Sequence, residues 1–327
     1  MAMGNPVPMK VKFWGVRGSI ATPVKGHTFR DKLKRILTYA TPSDVIDEPS
    51  VDRFIDSLPF SLSHTYGGNT TCLEIRTKNN DLVIVDAGTG LRELGVKLLD
   101  EGYLEGNGSA TFLFTHTHWD HIQGLPFFIP FFIEGNEFHI HAISDEIEQR
   151  LRYQHNDRHF PVAFDGMDAT KKFYQHQEGE KWPLYGMNVS TKGMKHPGGS
   201  YSYRLEEDGR VLIFGSDAEF RSDDMDDVES YIEYFKGADI LIFDTQYTFE
   251  EQLQKIDWGH SSASIATDIA MRAGVKKLIL FHHDPSYSDE KLDEVFLRAL
   301  RYREMMDVDN KSELEIKIAY EGLELEV

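Results

Sequence analysis

The 327-residue chain has a single cysteine, Cys72, no long apolar run and no surplus of basic charge. One cysteine excludes an intramolecular disulfide and a multi-cysteine metal site, and it suits a reducing compartment, so a cytoplasmic protein is expected. The most apolar stretch, Leu125-Pro126-Phe127-Phe128-Ile129-Pro130-Phe131-Phe132-Ile133, is too short to span a bilayer and is broken by two prolines. Met1 to Met9 has no apolar core of the signal-peptide kind. No membrane association is expected. Lys and Arg number 35 against 54 Asp and Glu, a net charge of −19. That balance disfavours a long polyanion such as DNA or tRNA as partner and leaves small-molecule substrates open. The length admits two domains or one large layered domain.

What the chain does have is His116-Thr117-His118-Trp119-Asp120-His121, directly after the apolar run Thr111-Phe112-Leu113-Phe114. The run reads as a buried strand, so three histidines and a carboxylate sit at a strand end. Neutral imidazole with carboxylate suits zinc or a similar divalent ion. A histidine-rich surface loop is the plain alternative, and the position after a hydrophobic strand speaks against it. Four donors on so short a turn strain a single tetrahedral ion, whereas two ions about 3.5 to 4 Å apart would share them.

The same architecture recurs along the chain. Leu82-Val83-Ile84-Val85 runs into Asp86, Val211-Leu212-Ile213-Phe214 into Ser216-Asp217, and Ile240-Leu241-Ile242-Phe243 into Asp244. Leu278-Ile279-Leu280-Phe281 runs into His282-His283. Many apolar strands that end in His or Asp imply one sheet edge where donors collect. Asp86, beside glycines, suits a group that orients metal-bound histidines or caps the helix predicted from Leu91 to Asp100. His196 stands alone at a strand-to-turn junction. His260 precedes a helix opened by Ser261 or Ser262, where a helix dipole lowers a histidine pKa and favours anions. A backbone-bonded histidine is the plain alternative there. Arg17, in Gly15-Val16-Arg17-Gly18-Ser19, is either a phosphate contact or a structural, salt-bridged arginine.

Two stretches stand apart. From Thr22 to His64, Phe29, Leu33, Ile36 and Leu37 recur at helical spacing among five basic residues, with a second helix over Val51 to Leu58. This segment reads as a helical insertion forming a cap or a subunit contact, or as a solvated helix on the body. With the Phe127 to Phe132 run it suggests a possible homodimer. A loop and helix excursion is expected at about 144–186, with an irregular part from His155 to Tyr185. Its aromatics, among them His155, His159, Phe160, Phe164, Phe173, Tyr174 and His176, line a pocket or form a satellite core.

Taken in this order, His-x-His-x-Asp-His, His196, Asp217 and the late histidine pair resemble the metallo-β-lactamase superfamily of dinuclear hydrolases. Nearest in look is its phosphodiesterase branch, with tRNase Z-like and cyclic-nucleotide phosphodiesterase-like members. Tyr66-Gly67-Gly68-Asn69-Thr70-Thr71, Asp86-Ala87-Gly88, Gly259-His260-Ser261-Ser262 and Phe281-His282-His283-Asp284-Pro285 carry the likeness further. It covers nearly the whole chain apart from the Thr22 to His64 insertion and part of the His155 to Tyr185 region. The resemblance implies a single α/β (α+β) domain, an αββα sandwich of two mixed β-sheets flanked by helices. It implies that His116, His118 and His196 hold one metal, that Asp120, His121 and His282 hold the other, and that Asp217 bridges them. His282 is preferred to His283 because the ligand follows the strand directly. The expected cofactor is two divalent ions, zinc first, with manganese or iron as alternatives.

Departures narrow the activity. The commonest zinc β-lactamases would place a cysteine near position 217, di-iron relatives a glutamate at 118, and tRNase Z a long glycine- and proline-rich arm, none of which is present. The expected function is a phosphodiesterase for a small phosphodiester such as a cyclic nucleotide, with Asp120 orienting the attacking water and His260 as proton donor or phosphate contact. A thioester or lactone hydrolase, a tRNase Z-like ribonuclease and a non-enzymatic metal-binding scaffold are the alternatives.

Overall fold

Continuous apolar runs need cover on both faces, and such runs make up Leu82–Val85, all of Ile240–Asp244 but its final Asp, and all of Lys277–Phe281 but its first Lys. The computed structural model, which describes residues 8–220, 225–309 and 311–327, supplies that cover with four layers. The first sheet comprises β1 (Lys10–Gly15), β2 (Cys72–Arg76), β3 (Leu82–Val85), β4 (Ser109–Phe114), β5 (Glu137–Ala142) and β6 (Thr170–Gln175). The second comprises β7 (Lys181–Leu184), β8 (Met187–Met194), β9 (Ser200–Glu207), β10 (Arg210–Phe214), β11 (Ile240–Asp244), β12 (Lys277–Phe281) and β13 (Glu315–Ile318). Finally β14 (Glu324–Glu326) returns to the first sheet beside β1.

The strand orders are β14-β1-β2-β3-β4-β5-β6 and β13-β12-β11-β10-β9-β8-β7. Each sheet is mixed. Pairing changes from antiparallel to parallel at the central strand, β3 in one sheet and β10 in the other. Consequently β3 and β4 end on one edge of the first sheet, and β8, β10, β11 and β12 end on one edge of the second.

Alternation along each strand divides the side chains between two cores. Val83, Val85 and Leu113 meet Leu212, Phe214, Ile242 and Ile279 between the sheets. Ile84, Phe112 and Phe114 face outward against Leu91, Leu94, Leu98 and Phe128, while Ile213, Leu241, Phe243 and Leu280 face outward against Ala266, Ile269, Leu292 and Val295. This is the αββα sandwich expected from the sequence. No helix among the described residues is long and apolar enough to cross a membrane.

The stretch from 144 to 186 departs from expectation. It opens with a helix, Ile147–Gln154, as the loop and helix expectation has it, but the part from His155 to Tyr185 expected to be irregular contains β6 and β7, one edge strand for each sheet. The sequence Thr-Lys-Lys-Phe-Tyr-Gln of β6 has no apolar run because an edge strand is half exposed, and its pairing with β5 comes from the backbone. Phe164 belongs to the outer core of the first sheet and Phe160 and Phe173 pack against it, as the satellite-core reading requires.

The insertion forms the helices Gly26–Tyr39 and Glu48–Ser57. Lys32, not the apolar stripe, is the buried residue of the first helix. It pairs with Asp289 and donates to the His64 carbonyl, which pins the segment to the helix Asp289–Met306. Phe29, Leu33 and Leu37 remain exposed.

Candidate metal centre

Where the strands run out, the chain turns sharply. Asp86 after β3, Ser216 after β10 and His282 after β12 adopt left-handed backbone, with φ of 58°, 59° and 60°. That conformation costs a non-glycine residue roughly 1–3 kcal/mol and persists only where its surroundings enforce it. At two points backbone also packs closely against the histidine rings. A Cβ on Gly18 would lie 2.4 Å from Cε1 of His282, and one on Gly259 2.3 Å from Nδ1 of His196.

Asp217 Oδ2 lies among the donors. It is 3.6 Å from His116 Nε2, 3.9 Å from His196 Nε2, 3.2 Å from His121 Nε2 and 3.4 Å from His282 Nε2. Asp120 Oδ2 is 3.1 Å from His282 Nε2 and 3.4 Å from His121 Nε2. His118 Nδ1 is 3.1 Å from His116 Nε2 and 2.9 Å from His196 Nε2. The donors thus fall into two groups, His116, His118 and His196, and Asp120, His121, Asp217 and His282, with the donor atoms of each group within 4.8 Å of one another.

Neighbouring side chains fix the imidazoles. Asp86 Oδ2 lies 2.8 Å from His121 Nδ1, and the same carboxylate accepts from Thr115 N and Oγ1. Nδ1 of His196 donates to the Gly259 carbonyl at 2.8 Å, and Nδ1 of His282 lies 3.0 Å from Gln246 Oε1. Each contact turns Nε2 toward the carboxylates. The Ser19 amide donates to Asp120 Oδ2 at 2.8 Å, with Ser19 itself at φ 61°. Nε2 of His121 is buried without a hydrogen-bond partner. Such an orphan costs about 1–3 kcal/mol, and coordination to a cation would satisfy it. The donor set fits a divalent ion.

Electrostatics agrees. Burial, helped by His121, holds His116 well below the usual imidazole range, and burial likewise lowers His118 and His196, leaving three neutral lone-pair donors. Burial opposes charge on His121 and His282, but carboxylates led by Asp217 overcome it, raising His121 well above its usual range and His282 to about 9. Burial also opposes charge on Asp217 and Asp120, and the facing histidines overcome it, holding both well below the carboxylate range. A cation placed there would displace the two protons.

The remaining sequence candidates separate cleanly. His283 Nε2 donates to the Ala319 carbonyl at 2.8 Å, and burial and then Arg17 push its pKa down to about 3. It faces away from the donors. Arg17 is buried and donates to the carbonyls of Gly67, Asp284 and Tyr287, a structural arrangement that leaves no phosphate contact. His260 lies two positions before the Ser262 N-cap, and Ser262 makes no side-chain cap bond. Asp244 rather than the helix orients it: Oδ2 is 2.8 Å from His260 Nδ1, and the ring lies 5.1 Å from that of His282. Ser19 and Gln246 were not singled out from sequence. The only available signal was their place beside Gly18 and two residues after the strand-end Asp244.

Residues 82–283, more than half of the chain, match the family model described as Beta-lactamase superfamily domain. Ribonuclease Z of Exiguobacterium sibiricum is 27% identical over 223 residues, 56% of this chain and 73% of that protein. Unliganded yeast PDE1 superposes with a TM-score of 0.62 at 18% identity, covering 98% of this chain and 100% of that one. The metallo-beta-lactamase fold protein YhfI from Bacillus subtilis gives 0.61 at 17% identity, covering 98% and 99%. At such identities the two structures speak to the fold alone.

Proposed function

The chain belongs to the beta-lactamase superfamily, and from that premise we propose that it is a dinuclear phosphodiesterase acting on a small phosphodiester such as a cyclic nucleotide. It is a metallo-β-lactamase-fold hydrolase by family and relatives. The observation that supports the dinuclear part of this reading is the position of one carboxylate oxygen, Asp217 Oδ2, within 4 Å of nitrogens from both donor groups. His116, His118 and His196 would hold one divalent ion and Asp120, His121 and His282 a second, with Asp217 shared; zinc suits the set best and manganese or iron are the alternatives. When bound, such ions supply a nucleophile from water near neutral pH and offset charge on the phosphoryl oxygens.

The chain's own groups do the rest. Asp120, held by the Ser19 amide, orients the attacking water. His260, paired through Nδ1 with Asp244, delivers a proton from Nε2 to the leaving oxygen. Metal analysis followed by assay of a phosphodiester chromogen beside a thioester and a lactone tests this reading. Turnover of the phosphodiester is expected, and Asp120→Ala should lose most of it, roughly a hundredfold or more. Full turnover by that variant with metal still bound would overturn the role of Asp120. Preference for the thioester or lactone would move the chain to carboxyl esters, and inactivity on all three with zinc present to a scaffold.

A second reading, a tRNase Z-like ribonuclease, is favoured by the name of the sequence relative, Ribonuclease Z. The net charge of −19 opposes it. Cleavage of a tRNA precursor with a steep loss of affinity on adding salt would select that reading.

A further inference from the structure

Two tryptophans beside the candidate metal centre are left in water, although indole gains much from burial. Trp119, between His118 and Asp120, is 81% exposed, and Trp258, next to Gly259, is 61% exposed. Of the other two tryptophans Trp182 is buried and Trp14 half-buried, so exposure is confined to the pair at this rim.

A chain neighbour of each touches one imidazole. His118 Nδ1 lies 2.9 Å from Nε2 of His196, and the Gly259 carbonyl accepts from Nδ1 of the same ring at 2.8 Å. Neighbouring Cα atoms are about 3.8 Å apart. Each indole therefore springs from within one residue of a group touching His196, and the two groups touch opposite nitrogens of that ring. The Trp258 ring is restrained: Lys255 Nζ lies 5.6 Å from its centroid and 4.0 Å from that of Tyr247. Beside them, exposed Arg150 donates to Thr117 Oγ1 at 3.1 Å and has no carboxylate partner among the described residues. Only one of its nitrogens is engaged there, which leaves guanidinium donors free for an anion.

We propose that Trp119 and Trp258 are base-stacking, specificity-determining residues and that Arg150 contacts a phosphate, so that the substrate is a nucleotide rather than an aliphatic phosphodiester or an ester. The hydrolysis of that nucleotide rests on the phosphodiesterase reading above; its recognition does not. An aromatic base offers a π-face to an indole whatever its sequence identity, and a sugar phosphate offers none.

Binding of adenosine 5′-monophosphate and of ribose 5-phosphate to the purified full chain, with its metal content recorded, tests the proposal by calorimetry. Wild type should prefer the nucleotide by roughly tenfold or more. The preference should fall in Trp119→Ala and in Trp258→Ala, approach unity in the double variant and return in the Phe variants. Arg150→Ala should weaken both ligands alike and leave the preference intact. A wild-type preference near unity, or one that survives in the double Ala variant, would overturn the stacking assignment, and unchanged binding in Arg150→Ala would overturn the phosphate contact. Turnover of a phosphodiester is scored separately. An intact preference in an enzyme with no turnover removes the hydrolase reading alone, whereas turnover without a preference removes stacking alone.

Discussion

Two histidine clusters in this molecule share a residue type and little else. His116, His118, His121, His196 and His282 gather around Asp120 and Asp217, their Nε2 or Nδ1 atoms pointing at one another. His139, His141 and His176 instead lie flat along the edge of the first sheet with Tyr174 and Trp182. His176 stacks on Trp182 at 3.7 Å between centroids, His141 on Tyr174 at 4.5 Å, and His141 Nδ1 lies 2.9 Å from His176 Nε2. Backbone geometry makes the difference. A straight strand lays alternate rings on one face, whereas turns at several strand ends bring donors from different strands to a point, with left-handed backbone at Asp86, Ser216 and His282. Only the first arrangement leaves a buried imidazole nitrogen unpaired beside carboxylates.

The sharpest test of that contrast is Asp217→Ala. Removing the shared oxygen should lower metal content and cut activity on the order of a thousandfold, while His141→Phe should leave both as they are. Elemental analysis and turnover on the same preparations decide it. Next in size is the adjacent pair. His282→Ala should lose metal and activity, whereas His283→Ala should keep its metal and lose about 1–3 kcal/mol of stability through the unpaired Ala319 carbonyl, read by denaturant titration. Metal loss in His283→Ala at unchanged stability would reverse their roles. Asp86→Asn should weaken metal affinity roughly 10- to 100-fold, as expected for a group that only aims a ligand, and a chelator competition measures it.

The smallest effect belongs to the stacked cluster. Burial, and then His176, hold His141 down at about 4 against an ordinary 6.5. Between those values the unfolded chain binds the proton and the folded one does not, so stability falls as pH drops from about 6.5 to 4 and is unaffected by this group above that window. The loss, on the order of 1–3 kcal/mol, should appear as a falling unfolding midpoint that flattens in His141→Phe. An equal slope in the variant would place the titration elsewhere.

Much of the first cluster is legible in sequence because its logic is local. An apolar strand followed at once by His or Asp announces a donor at an edge, and this holds for His116 to His121, Asp217 and His282. The long-range partners are not legible. Gly259 reaches His196 through its carbonyl, Ser19 reaches Asp120 through its amide, and a backbone group has no sequence signature. The same limit hid β6 and β7, whose edge positions remove the apolar pattern, and it disguised the helix Gly26–Tyr39. There the apolar stripe faces outward, because Lys32 finds Asp289 257 positions away and is buried instead. Arg17 likewise could not be assigned until its three carbonyl partners were known.

The left-handed residues Asp86, Ser216 and His282 also set the order in which the molecule fails. A conformation that persists only under compression relaxes as soon as the clamp weakens, and regions of low local stability open before the global core does. Mild heat or denaturant should therefore scatter the donors while both sheets and their helices still give a native circular dichroism spectrum. Loss of function would then come first, as a springing of the rim, and melting of the layers second.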